Sequence, residues 1–259
     1  MSVKNRNSIV TDGLVFYVDA GNEDSYAGSG TDWNDLMGTY DSTLANAPTY
    51  SSTNGGNIDF DGTDDRADVP MSDVYTYMGA FTLSYWIKTT QTSHGIVFGL
   101  ASGNTGAANY FSEALSLLIN NNGTSTQSGY TRLFCRDEGP SGNGSNLNTC
   151  ISAFPCGSND GQWHNVVVCY NNLSTPVTTA YVDGVGKTVQ YRSGNRDQIN
   201  LSYVNNPAQR NPCLGAANGR DDTKSNFFDG SLASFSLYNR VLSSLEVTQN
   251  YNALKNRFI

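Results

Sequence analysis

Residues 227–255 constrain the fold of this chain more than any other stretch. Asp229-Gly230 opens it with a glycine turn. Ala233, Phe235 and Leu237 then alternate with Ser234, Ser236 and Tyr238, the period of two that marks a half-buried strand. After Asn239-Arg240 the period changes. Ser243 with Glu246 three positions on forms a capping box, and Leu245, Tyr251 and Leu254 recur at helical spacing. A strand with one apolar face needs sheet neighbours and a second layer to cover it. The C-terminus is therefore expected to be the last strand of a layered β body, closed by one short helix.

The rest of the chain supplies the partners. Phe81, Leu83, Tyr85 and Ile87 alternate with Thr82, Ser84, Trp86 and Lys88. Further strands are expected at 14–18, 58–60, 95–100, 114–119, 130–135, 162–170 and 178–182, the last followed by the hairpin signal Asp183-Gly184. Residues 22–56 read as a long loop with brief strands. Residues 136–160 and 190–228 read as polar insertions, with short strand candidates only at 201–204 and 213–214. The 26 glycines and the 15% of charged residues suit many strands joined by turns. Neither a linker nor a repeat divides the chain, so one domain is expected over 13–259, preceded by a polar N-terminal arm at 1–12. An ordered polar arm needs something to hold it, and a neighbouring subunit is the expected holder.

Six segments in order along the chain resemble one known family. They are Gly13-Leu-Val-Phe-Tyr-Val-Asp-Ala-Gly-Asn22, Phe60-Asp-Gly-Thr-Asp-Asp65, Phe81-Thr-Leu-Ser-Tyr-Trp-Ile87, Gly161-Gln-Trp-His-Asn-Val-Val-Val168, Ala180-Tyr-Val-Asp-Gly184 and the strand–helix pair at 227–255. Together they are similar to laminin-G-like, concanavalin A-like jelly-roll domains, in particular the bacterial and phage-borne branch. The resemblance implies an all-β fold, a two-sheet antiparallel jelly-roll sandwich with one short C-terminal helix. It also implies that the first strand pairs with 231–238, which brings the chain ends together.

Charge and cysteines bound the function. The net charge of −8 argues against nucleic acid or an anionic membrane as partner, because phosphate binding depends on neutralising cations. The N-terminus shows no apolar signal region, and no run is long enough to span a membrane. Synthesis in a reducing cytoplasm is expected. Five cysteines (135, 150, 156, 169, 213) leave at least one outside any intrachain bridge. Cys169 is expected to be a core thiol, and Cys150 and Cys156 flank a short segment that a bridge would close.

For chemistry, the resemblance brings glucanases to mind first. Those enzymes carry paired glutamates on one strand, in a Glu-x-Asp-x-(x)-Glu motif. The glutamates here (23, 113, 138, 246) are all more than five residues apart, so no enzyme activity is expected. His94 and His164 accompany no nucleophile elbow, and His164 is expected to be structural. The resemblance further implies one structural Ca²⁺ where the first and last strands meet, with Asp19 and Asp229 as ligands. The alternative is that both carboxylates cap turns. Asp61, Asp64 and Asp65 lack the spacing of an EF-hand loop. Lectins of this shape bind sugars with aromatic rings and Asn or Asp side chains. Trp33, Tyr110, Tyr130 and Tyr203 are the candidate ligand-binding residues, while Trp86 and Trp163 are expected to support the sandwich. The resemblance also implies a non-enzymatic bacteriophage surface protein, a capsid decoration or appendage subunit at the virion surface. Its partners would be other virion proteins, copies of itself or host surface glycans. A stand-alone carbohydrate-binding lectin-like module is the alternative.

Overall fold

The computed structural model describes residues 8–77, 79–101, 113–121, 123–136, 149–171, 177–194, 211–218 and 223–259. The strands in chain order are β1 (Leu14–Asp19), β2 (Asp32–Trp33), β3 (Ser42–Ala45), β4 (Thr49–Ser51), β5 (Asn57–Asp61), β6 (Arg66–Asp68), β7 (Ala80–Lys88), β8 (Gly95–Ala101), β9 (Glu113–Asn121) and β10 (Thr126–Arg136). Then come β11 (Thr149–Pro155), β12 (His164–Asn171), β13 (Thr178–Val182), β14 (Val185–Lys187), β15 (Gln190–Gly194), β16 (Cys213–Leu214), β17 (Ala217–Asn218), β18 (Lys224–Ser225) and β19 (Asp229–Tyr238). The helix α1 covers Ser244–Leu254.

One sheet runs β14-β13-β12-β7-β19-β5-β4, with β1 also on β19; the other runs β15-β11-β10-β9-β8-β16-β6-β3-β2. Every pairing in both is antiparallel. The expected closure of the chain ends is met, with Leu14 opposite Tyr238 and Asp19 opposite Ser234. Between the sheets lies one core, to which β7 gives Phe81, Leu83, Tyr85 and Ile87 and the facing sheet gives Phe98, Leu117, Leu133 and Phe154. Phe98 stacks on Phe235 across the gap, ring centroids 5.2 Å apart.

The outer face of the first sheet is covered as well, which is why β12 is buried on both sides. Val166, Val168 and Tyr170 face the inter-sheet core, while Val167 and Cys169 face Val10, Leu242 and Val247. The helix starts as its sequence dictates: the Ser243 side chain accepts from the Glu246 amide, and Glu246 accepts from the Ser243 amide. Its buried stripe differs from expectation. Val247 and Asn250 are buried, Tyr251 and Leu254 pack against the tryptophan cluster, and Leu245 is 81% exposed. The stripe 247-250-251-254 has the i, i+3, i+4, i+7 spacing, and Leu245 falls off it. Ala233 also departs from the simple alternation. A register shift between Leu232 and Ser234 turns it outward against Trp86 and Phe258.

The part of the N-terminal arm described, residues 8–12, is hydrogen-bonded to β19 and α1 of its own chain. The Val10 amide donates to Asn250 Oδ1 at 2.7 Å, Tyr238 Oη donates to the Val10 carbonyl at 2.9 Å, and Gln249 donates to the Ser8 carbonyl. Four strands in the insertions differ from expectation: β11 inside 136–160, and β15, β17 and β18 inside 190–228, while the candidate at 201–204 lies outside the described residues.

Candidate functional site

The junction of first and last strands is built around a buried ion pair. β1 ends at Asp19, 5% exposed, and Arg257 beyond α1 reaches it with Nη1, 2.8 Å from Oδ1 and 2.7 Å from Oδ2. The same guanidinium donates from Nη2 to the carbonyls of Gly55 and Gly56 and from Nε to that of Asn54. Tyr17 Oη and the Gly21 amide complete the carboxylate's partners. Backbones meet here at a separation only glycine allows, since a Cβ on Gly21 would lie 1.9 Å from the Gly55 carbonyl oxygen.

The structure does not bring Asp19 and Asp229 together. Asp19 faces Ser234, whereas Asp229 lies five residues away along β19, opposite Asp61 and so about 17 Å distant. The oxygens around Asp19 already surround a cation, the guanidinium of Arg257. Asp229 stands instead beside the Asp61–Asp65 loop, where carboxylate oxygens of Asp61, Asp64 and Asp65 all lie within 4.8 Å of one another. That loop consumes its own acceptors: Asp61 Oδ1 takes the Thr63 and Asp64 amides, and Asp65 Oδ2 takes the Asp61 amide. The backbone donors hold Asp61 below the usual carboxylate range, and burial raises Asp65. Among the described residues, this is the group of acids whose side-chain oxygens lie close enough together to suit a divalent cation.

The aromatic residues chosen from sequence separate. Trp33 is fully buried in the inter-sheet core, because β2 pairs with β3 at the sheet edge and turns its ring inward. It cannot stack on a ligand. Tyr130 is half-buried on β10, opposite Pro155. Tyr110 and Tyr203 lie outside the described residues. Trp86 and Trp163 support the fold, Trp86 stacking on Phe258 at 4.2 Å.

Both histidines are engaged. His164 Nδ1 lies 2.8 Å from Asp183 Oδ2, and Nε2 lies 3.1 Å from Asp160 Oδ1. Its hydrogen bond to Asp183 raises its pKa. His94 Nε2 lies 3.0 Å from Asn121 Nδ2 and 2.9 Å from Thr126 Oγ1, and burial lowers its pKa.

An open cleft of about 260 Å³ lies where the chain crosses from the first sheet to the second. Asp183 and Gly184, both at positive φ, make the tight turn from β13 to β14. β14 pairs with residues 180–182, so among the described residues no strand covers the start of β13 on that side. Tyr191 of β15 covers it from the other sheet, its phenol oxygen 3.0 Å from the Thr178 amide. Tyr181, Lys187, Thr179 and Val189 complete the walls. Tyr181 packs partly against the outer cluster and Tyr191 partly against the inter-sheet core, each leaving the rest of its side chain accessible. The sequence had singled out neither tyrosine for binding. The alternation of Val189 and Tyr191 just after a hairpin was the available signal.

A family model described as the concanavalin A-like lectin/glucanases superfamily matches residues 61–248, more than half of the chain. The chain belongs to that superfamily. No curated protein matches the sequence. Among solved structures, the binding domain of botulinum neurotoxin DC in complex with SialylT is similar over 95% of this chain and 52% of its own, at 10% identity and a TM-score of 0.61. The receptor-binding domain of botulinum neurotoxin C/D mosaic serotype is similar over 93% and 51%, at 12% identity and a TM-score of 0.60. Trypanosoma rangeli sialidase in complex with 2,3-difluorosialic acid is similar over 96% and 34%, at 18% identity and a TM-score of 0.56. The chain thus spans a third to a half of the length of these structures, and at such identities the likeness is one of fold.

Within a superfamily that joins lectins to glucanases, the placement of acids matters. Glycoside hydrolysis needs two carboxyl groups facing each other across a substrate. Glu246 is bound to Arg240 at 2.6 Å and to its helix cap, and Glu23 is exposed in a turn. The close pair Asp61 and Asp65 is tied into its own loop. Among the described residues, no carboxylate lines the edge cleft.

Proposed function

We propose that this chain is a non-enzymatic carbohydrate-binding module that takes a sugar in the edge cleft between Tyr181 and Tyr191. The observation that carries this is the wall chemistry. Two partly exposed phenol rings offer apolar faces to the C–H side of a sugar, while Thr179 and Lys187 offer polar groups to its hydroxyls. Tyr191 is held in place by its bonds to the Thr178 backbone, so its ring is ordered before a ligand arrives. The volume is below the ~300–1,000 Å³ of drug-sized pockets, a scale for one or two sugar rings. The described walls of the cleft carry hydroxyl, ammonium and aromatic groups, which suit binding.

A virion-surface role ranked first from sequence, partly because both chain ends were expected to be tied down by a neighbour. The edge cleft gives the lectin reading a site of its own in the fold, so that reading stands first here.

A glycan array probed with the purified chain tests the proposal. Binding to a defined set of oligosaccharides is expected, and Tyr181→Ala and Lys187→Ala are each expected to weaken it at least tenfold. Binding unchanged in both variants, or an array with no bound glycan, would overturn it.

A further inference from the structure

Cys135 on β10 and Cys150 on β11 are directly opposite each other in the antiparallel register. Both side chains point into the inter-sheet core, at 0% and 1% exposure. Opposed residues of antiparallel strands have Cα atoms about 4.5 or 5.5 Å apart, depending on the hydrogen-bonding class of the pair. Both values fall within the ~4.4–6.8 Å that a disulfide requires.

The other cysteines are placed where they cannot compete. Cys156 lies six residues further along the same strand direction, about 20 Å from Cys150, which removes the bridge considered from sequence. Cys169 faces the outer side of the other sheet, where Thr82 Oγ1 donates to its sulfur. Cys213 on β16 donates to Asp68 Oδ1 at 3.2 Å. The odd count therefore resolves into one bridgeable pair and three separate thiols.

We infer that Cys135 and Cys150 are a dithiol site that closes into a cross-strand disulfide when the chain folds in the presence of a small-molecule disulfide. One thiolate attacks oxidised glutathione, giving a protein–glutathione mixed disulfide and releasing one glutathione thiolate. The second cysteine thiolate attacks the protein sulfur of that mixed disulfide, forming the Cys135–Cys150 bond and releasing the second glutathione. The two protons lost by the cysteines end on the two glutathiones, and the two electrons reduce the glutathione disulfide. Burial pushes the Cys135 thiol well above its ordinary range, so the exchange belongs to the open chain and is slow once the sheets have closed.

The full chain is unfolded in denaturant and refolded in a buffer of reduced and oxidised glutathione. Remaining thiols are then alkylated, and peptides are mapped without reduction. The expected map shows a linked 135–150 peptide in most chains, with Cys156, Cys169 and Cys213 alkylated. The oxidised chain is expected to melt several degrees above the same sample reduced with dithiothreitol. Alkylation of all five cysteines would overturn the inference. So would linkage of Cys150 to any other cysteine at comparable yield, in the wild type or in Cys135→Ser.

Discussion

Arg257, two residues before Ile259, places Nη1 within 2.8 Å of both carboxylate oxygens of Asp19 at the end of the first strand. The pair links the two ends of the chain through side chains as well as through the β1–β19 ladder. Nearly all of Asp19 is out of water, so removal of its partner leaves a buried charge unmatched. Arg257→Ala is expected to lower the unfolding free energy by about 3 kcal/mol, read from urea denaturation. Asp19→Asn with Arg257→Ala should cost less than the sum of the single changes.

The same geometry fixes an expectation for metal. Because a guanidinium fills the oxygen cage at Asp19, chelation by EDTA should leave the melting temperature of the wild type unchanged to within about 1 °C, below the ~2–4 °C that 1 kcal/mol moves a domain of this size. A drop of several degrees would point to the Asp61, Asp64 and Asp65 loop, the acid group among the described residues compact enough to hold a divalent ion.

Much of this fold was legible in the sequence, and the failures have physical causes. The strands 14–18, 81–88 and 178–182, the Asp183-Gly184 turn and the Ser243/Glu246 cap each carry a local signal, and each was found. β11 was missed because its Cys-Ile-Ser-Ala-Phe run sits among glycines, serines and asparagines, where composition outweighs a short alternation. β15 offers only the brief alternation of Val189, just before it, with Tyr191, too short to stand out in a polar stretch. Trp33 looked like a loop aromatic because a two-residue strand leaves no pattern, yet its pairing with β3 sends the ring into the core. The cleft was hidden for a different reason. Tyr181 and Tyr191 belong to different sheets, and only the crossing of the chain between them brings them to one place.

Glu246 gives a prediction in acid. Its bonds to Arg240 and to the Ser243 amide hold its pKa at about 2 against an ordinary 4.5. A depressed carboxyl stabilises the fold fully above its unfolded value and loses that contribution as pH falls toward the folded one. Melting temperature should therefore decline from about pH 4.5 down to about pH 2, and Glu246→Gln should flatten part of that decline. At neutral pH Ser243→Ala is expected to cost about 1 kcal/mol through the lost helix cap.

His164 acts at the other end of the scale. Asp183 and Asp160 raise its pKa, so its contribution is complete below the unfolded value near 6.5 and disappears as pH rises through the higher folded value. Melting curves from pH 6 upward should show a loss of stability in the wild type that is absent from His164→Asn. Identical slopes in the two proteins would contradict the bridging role.

The location of the sugar is settled most directly by calorimetric titration of one array-selected oligosaccharide into three proteins: wild type, Tyr181→Ala and Tyr130→Ala. Binding in the edge cleft requires affinity to fall at least tenfold for Tyr181→Ala and to stay within twofold of wild type for Tyr130→Ala. The reverse pattern, with Tyr130 essential and Tyr181 dispensable, would move the ligand to the β10 face of the second sheet and contradict the cleft.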